Sequence, residues 1–165
     1  MRPKPVMRRA FAGVVLALAL SGTMPPARAQ APAMADQTGL IVIESAHALA
    51  ETEQRLIKTI EAAGLKVAAR IDHKANAESV GLQLPPTVLL LFGNPKAGTV
   101  LIEQQRTIAI DLPLKMLIWE ADGKVMVAYN DPVYLARRHG IAGTTPVLAQ
   151  VSQALQRFAS AATTK

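Results

Sequence analysis

Thr87-Val88-Leu89-Leu90-Leu91-Phe92 (TVLLLF) stands between Pro86 and the triplet Gly93-Asn94-Pro95. A run this short and this apolar has the length of a strand rather than of a buried helix, and it predicts a central strand covered on both faces. Asn94 can accept from an early backbone N–H of a following helix. Pro95 at the first helical position lacks only a donor that would have no partner there anyway. A strand, a turn and a capped helix are therefore expected in immediate succession.

Working outward, Leu40 to Ile43 is an apolar, β-branched run fit for a buried strand. Ser45 can cap a helix from about Ala46 to Ala63, with Leu49, Leu56, Ile57 and Ile60 at helical spacing and Gly64 as its stop. Leu65 to Ile71 alternates, with Leu65, Val67, Ala69 and Ile71 on one face, which predicts a half-buried strand. Asp72 to Val80 reads as a short helix and Gly81 to Pro86 as a loop. The helix opened by Pro95 runs to about Gln105.

Leu114 to Glu120 and Lys124 to Tyr129 form a hairpin around Ala121, Asp122 and Gly123. Asp131-Pro132 and Thr145-Pro146 repeat the capping device of Asn94-Pro95. The first opens a short helix ending near Gly140, the second an amphipathic helix over residues 146–160 with Val147, Val151, Ala154, Leu155 and Phe158 on one face. This order predicts an α+β fold, a two-layer sandwich with a mostly antiparallel sheet of about five strands and packed helices, as one domain over residues 39–165.

The N-terminus has a different character. Arg2, Lys4, Arg8 and Arg9 precede the apolar run Ala10 to Leu20, and Ala27-Arg28-Ala29 follows as a small-x-small exit. The apolar run is well short of the roughly twenty residues a membrane span needs. The pattern is that of a cleavable signal peptide over residues 1–29, with residues 30–38 as a flexible leader and a periplasmic or secreted destination. Arg8 and Arg9 leave twin-arginine export open beside the general secretory route.

The chain carries 18 Lys and Arg against 12 Asp and Glu, a net charge of +6. Five of those cations and none of the acids lie in the signal, which leaves 13 basic against 12 acidic residues, a net charge of +1. Such a chain lacks the basic footprint that phosphate backbones demand, so no nucleic-acid partner is expected, nor a membrane surface after cleavage. With no cysteine, disulfides, thiol catalysis and thiolate metal sites are excluded.

Chemistry-bearing residues are few. Gly93 to Thr99 (GNPKAGT) at a strand-to-helix junction is the nearest approach to an anion site, with Lys96 adding charge, although capping and turning explain Asn94 and Gly93 as well. His73 beside Asp72 can be tuned for proton transfer or ligation, although strand neighbours point to opposite faces. His139, after Arg137 and Arg138, suits the C-terminal end of a helix dipole. His47 reads as exposed. Met34, Met116 and Met126 could join a histidine in a copper or haem site, and packing accounts for them equally. Packing also accounts for Trp119, Tyr129 and Tyr134, which could otherwise line a pocket or an interface.

Asp72, His73, Leu84-Pro85-Pro86, Leu91 to Thr99 (LFGNPKAGT), Asp111 to Trp119 (DLPLKMLIW) and Tyr129 to Pro132 occur in an order that resembles the domain of unknown function 302 family, over residues 39–141. The resemblance implies a compact α+β domain that often dimerises, without an agreed activity or catalytic residues. It places emphasis on His73, Gly93, Asn94, Pro95, Asp111, Pro113, Asn130, Asp131 and His139. The chain departs from the family pattern at Val100, where proline is expected, and over Gln105 to Ala109.

The leading expectation is a non-enzymatic exported binding or interaction module, a homodimer, with a small-ligand site at one sheet end built from His73, Asn94, Lys96 and Asn130. Two alternatives stand beside it. One is a periplasmic haem or copper protein using His73 or His139; the other is a hydrolase using His73 and Asp72 as an acid/base pair.

Overall fold

The computed structural model describes residues 36–142 and 146–165. The signal assignment, the leader up to residue 35 and the cap expected at Thr145 lie outside the described residues; the last leader residues form a turn in which Asp36 Oδ1 accepts from Thr38 N at 2.7 Å and Asp36 O from Gly39 N at 3.1 Å. The elements run β1 (Leu40–Ser45), α1 (Leu49–Ala62), β2 (Lys66–Asp72), α2 (His73–Ser79), β3 (Thr87–Gly93), α3 (Pro95–Gln104), a 3₁₀ helix (Arg106–Asp111), β4 (Leu114–Ala121), β5 (Lys124–Asn130), α4 (Pro132–Arg138) and α5 (Pro146–Thr163). The five strands form one sheet in the order β1-β5-β4-β3-β2, with every neighbouring pair antiparallel. This is an α+β fold.

Alternation decides which residues form the core. Val88, Leu90 and Phe92 of β3, Met116 and Ile118 of β4, Val127 and Tyr129 of β5 and Ile41 of β1 point to one face. There they meet Leu56 and Ile60 of α1 and Leu155, Phe158, Ala159 and Ala162 of α5. Phe92 and Phe158 meet edge to face with ring centroids 5.9 Å apart, a geometry that adds to their burial. A second core joins Leu101 of α3, Ile108 of the 3₁₀ helix, Ala136 of α4, Ile141 and Leu148 of α5.

Three expectations are corrected. The β3 run is not covered on both faces: Val88, Leu90 and Phe92 are buried, whereas Leu89 and Leu91 are only half-buried because the helices pack on one side of the sheet. β2 does not keep one alternation. A bulge between Val67 and Ala69 shifts its register, so that Val67 pairs with Phe92 while Ala69 and Ile71 pair with Leu91 and Leu89. One extra residue turns all later side chains over. Arg70 is thereby placed on the helix side, where it pairs with Glu53 and Asp72. The hydrogen bond that Arg70 donates to the Glu53 carboxylate raises its pKa above the ordinary guanidinium value.

Ser45 is likewise not the cap of α1. The helix starts at Leu49 after Ala48 without a side-chain cap, and Ser45 Oγ instead accepts from His47 N and pairs at 2.7 Å with Oγ1 of the fully buried Thr52. Thr52 Oγ1 also reaches Ala48 O at 3.0 Å, so its burial leaves no polar atom without a partner. The β4–β5 hairpin closes through Asp122 and Gly123, both at positive φ, the conformation of a tight two-residue turn.

Gly39 enters β1 at φ +81°, and a Cβ there would lie 2.3 Å from ring atoms of Tyr134. Gly39 O also accepts from Asp131 N at 2.8 Å, tying β1 to the start of α4. Gly39→Ala is therefore expected to destabilise the domain by about 1–3 kcal/mol, seen as a melting temperature lower by several degrees. Tyr134→Ala in the same background should recover the steric part of the loss.

Candidate functional site

Antiparallel pairing sorts the strand ends into two sets. Gly93, Asn130 and the first residues of β1, β2 and β4 share one end; Asp72, Thr87, Ala121, Lys124 and Ser45 share the other. Asn94, Lys96 and Asn130 belong to the first end, and His73 to the second, a strand length of roughly 20 Å away. The four expected site residues are thus not brought into one place.

At the His73 end, Asp72 caps α2 by accepting from Ala75 N at 3.0 Å and pairs with Arg70 through its other oxygen at 3.2 Å. These contacts, led by the backbone hydrogen bond from Ala75, hold its carboxyl below the usual range. Among the described residues His73 has no side-chain hydrogen bond, to Asp72 or to another group.

The Asn94 end holds a cleft of about 1090 Å³. Asn94 Oδ1 accepts from Lys96 N at 2.9 Å and from Ala97 N at 3.4 Å, so the residue caps α3 as its type suggests and fixes that helix against the end of β3. Ala97, Gly98 and Leu101 of α3 form one wall, and Leu112, Pro113 and Leu114 a second. The Leu112–Pro113 peptide is cis. A Cβ on Gly98 would meet Leu112 at 3.7 Å, which is ordinary contact, so α3 lies close against this wall. Gly64, Leu65 and Lys66 enter from the α1–β2 turn, and Val151, Ala154, Arg157 and Phe158 from α5. Of the four expected site residues, Asn94 lines the cleft; Lys96 and Asn130 do not.

His139 is found elsewhere. Its Nε2 lies 2.6 Å from Asp111 Oδ2 and its Nδ1 2.9 Å from Thr107 Oγ1, while Arg138 reaches Asp111 Oδ1 at 3.4 Å. The His139 and Asp111 side chains are 7% and 11% exposed. This cluster ties the end of α4 to the 3₁₀ helix beside the second core. Position at a helix end explains His139 in part, but a carboxylate distant in sequence holds the ring. Thr107 and Arg138 carried no signal of that role, because contact across the 3₁₀ helix and α4 is not a periodic feature.

Among the described residues no three of His, Cys, Asp and Glu come together as a metal-binding group. Met116 is fully buried in the main core. No helix of the described residues is long and apolar enough to cross a membrane.

With this architecture in place, the family pattern described as domain of unknown function DUF302 matches residues 41–162. The chain belongs to the DUF302 family. The match extends past Ile141 through α5, beyond the 39–141 expected, and α5 is integral to the DUF302 core through Leu155, Phe158, Ala159 and Ala162. A crystal structure of an uncharacterized conserved DUF302 protein from Bacillus stearothermophilus has the same fold, with a TM-score of 0.69 at 17% identity over 75% of this chain and 98% of that one.

Over 105 residues the chain is also 48% identical to fluoride-specific ion channel FluC 1 of Brucella suis biovar 1, covering 63% of this chain and 41% of that protein. It has the same identity to FluC 2 of Brucella melitensis biotype 1, covering 39% of that protein. The chain therefore spans about two fifths of the length of the curated relatives it matches.

The His139 cluster makes a stability prediction. His139→Ala leaves the Asp111 carboxylate buried beside Arg138 alone, which should cost about 1–3 kcal/mol. Asp111→Ala should cost a similar amount, and the double variant less than the sum, in chemical denaturation. Additive losses would mean that the two side chains do not act as a pair.

Proposed function

We propose that this DUF302 domain is a non-enzymatic binding module whose ligand site is the cleft at the Gly93-Asn94-Pro95 end of the sheet. The observation that carries the reading is the cleft itself. A concavity of about 1090 Å³ with mostly aliphatic walls and a few polar groups is of the size and character that small molecules occupy. Lined by Gly93, Asn94, Pro95 and Gly98, it gives the strand-to-helix junction a role beyond capping.

Export through the N-terminal segment and action as a homodimer belong to the same proposal. The sheet face opposite the helices supports self-association. Val42, Ala128, Leu117, Leu89 and Ile71 follow one another across all five strands in register, an apolar row on the face away from α1 and α5. Five strands of this length present on the order of 500 Å² in plan, and side-chain relief brings that toward the roughly 800 Å² per partner of a stable interface.

The Brucella relatives are named as fluoride channels, and a matching segment within longer chains is in keeping with a module. Fluoride itself suits the cleft poorly, since a small, strongly hydrated anion gains little from aliphatic walls and loses its water.

Two measurements test the proposal. A neutral apolar fluorophore, 1-N-phenylnaphthylamine, should bind the full chain with enhanced emission, and Ala97→Trp, which fills the cleft from α3, should weaken it at least ten-fold while circular dichroism is unchanged. Equal binding by both proteins removes the cleft as the site. Sedimentation equilibrium should give a dimer that Leu89→Glu with Leu117→Glu converts to a folded monomer; a wild-type monomer at micromolar concentration removes the dimer.

A further inference from the structure

We propose that the cleft selects anionic amphiphiles, molecules with an apolar body and one carboxylate or sulfate head, an inference that rests on the cleft being the ligand site. The residues that line it include two basic ones, Lys66 and Arg157, and no aspartate or glutamate. Both cations are exposed, and among the described residues neither has an ion-pair partner.

What sets the cleft apart is that two cationic residues line it with no acid among them, since five of the 13 Lys and Arg of the described residues have an ion-pair partner and eight have none. Arg55 pairs with Glu51, Arg70 with Glu53, Lys74 with Glu78, Lys124 with Glu44 and Arg138 with Asp111. Two cations and no acid on the rim of one cleft leave it with a positive field that low-dielectric walls concentrate.

The fold accounts for their meeting. Lys66 opens β2 opposite Gly93, in the register that places Val67 opposite Phe92. Phe92 packs on Phe158, the neighbour of Arg157 on α5. The aromatic contact at the end of the sheet thus brings a basic residue from each of two distant segments to the border of the same cleft. Such a site holds the apolar part of a ligand by burial and its head by charge. A cationic amphiphile of the same shape would meet repulsion, and a neutral one would gain the burial alone.

The test is displacement of 1-N-phenylnaphthylamine from the full chain, at low ionic strength and below micelle concentrations, by decanoate, decanol and decyltrimethylammonium. Decanoate should displace at a concentration at least ten-fold lower than the cation, with decanol between them. Lys66→Glu with Arg157→Glu should erase or invert that order. Lys58→Glu with Arg137→Glu, which changes net charge equally but away from the cleft, should leave it intact.

Equal displacement by all three, or loss of the order in the Lys58/Arg137 variant as much as in the Lys66/Arg157 variant, overturns the anionic selectivity while leaving the cleft as a binding site. Failure of the fluorophore to bind, or indifference to Ala97→Trp, overturns the cleft and the selectivity together.

Discussion

One packed face of one sheet holds the rest of this molecule in place. The inward residues of β3, β4 and β5 are nearly inaccessible, and α1 and α5 lie across them. Phe92 against Phe158 is the contact with the widest reach, because it fixes the C-terminal helix at the end of the sheet where β3 leaves for α3. Without α5 that end of the sheet would expose Phe92, and the cleft would lose the wall formed by Val151, Ala154 and Phe158. At about 25 cal/mol per Å² of apolar surface, residues of this size each contribute roughly 1.5–3 kcal/mol through burial, so the helix is held by several such contributions.

Much of the fold was legible in the sequence because its signals are local. Asn94 and Asp131 do cap the helices that Pro95 and Pro132 begin, and the Asp122-Gly123 turn closes the hairpin it suggests. What was not legible depends on tertiary context. The alternation of Leu65, Val67, Ala69 and Ile71 is regular in sequence, yet the bulge after Val67 sends the second half of β2 to the other face. A bulge adds a residue to one strand relative to its partner, so one strand read by itself cannot disclose it. The continuous apolar run of β3 misled in a related way: it implied two covered faces, but the five-stranded sheet has its helical layer on one side.

The site divides along the same line. Residue type and spacing mark Gly93, Asn94 and Pro95, and these three residues line the cleft. His73 shares with them a place at a strand end, but strand ends alternate in direction through an antiparallel sheet, and β2 and β3 finish at opposite ends. His139 and Asp111 show the complementary failure. Each was recognisable alone, and their contact at 2.6 Å arises only when the 3₁₀ helix and α4 close over the second core.

Net charge illustrates why composition constrains partners better than ligands. Residues 30–165 carry 13 basic against 12 acidic residues, so nearly all of the net charge of +6 lies in the first 29 positions and little of it is spread over the domain. The short-range field at a cleft obeys a different sum. It depends on which charges lie within about 8–10 Å of each other and of the cleft walls, since screening removes the rest. Ion pairing neutralises Arg55, Arg70, Lys124 and Arg138 locally, whereas Lys66 and Arg157 retain their charge beside aliphatic surface. A nearly neutral stretch of chain can therefore border a cleft with basic residues, and Lys66 and Arg157 lie 91 positions apart. Only the packing of α5 on the sheet brings them to one cleft.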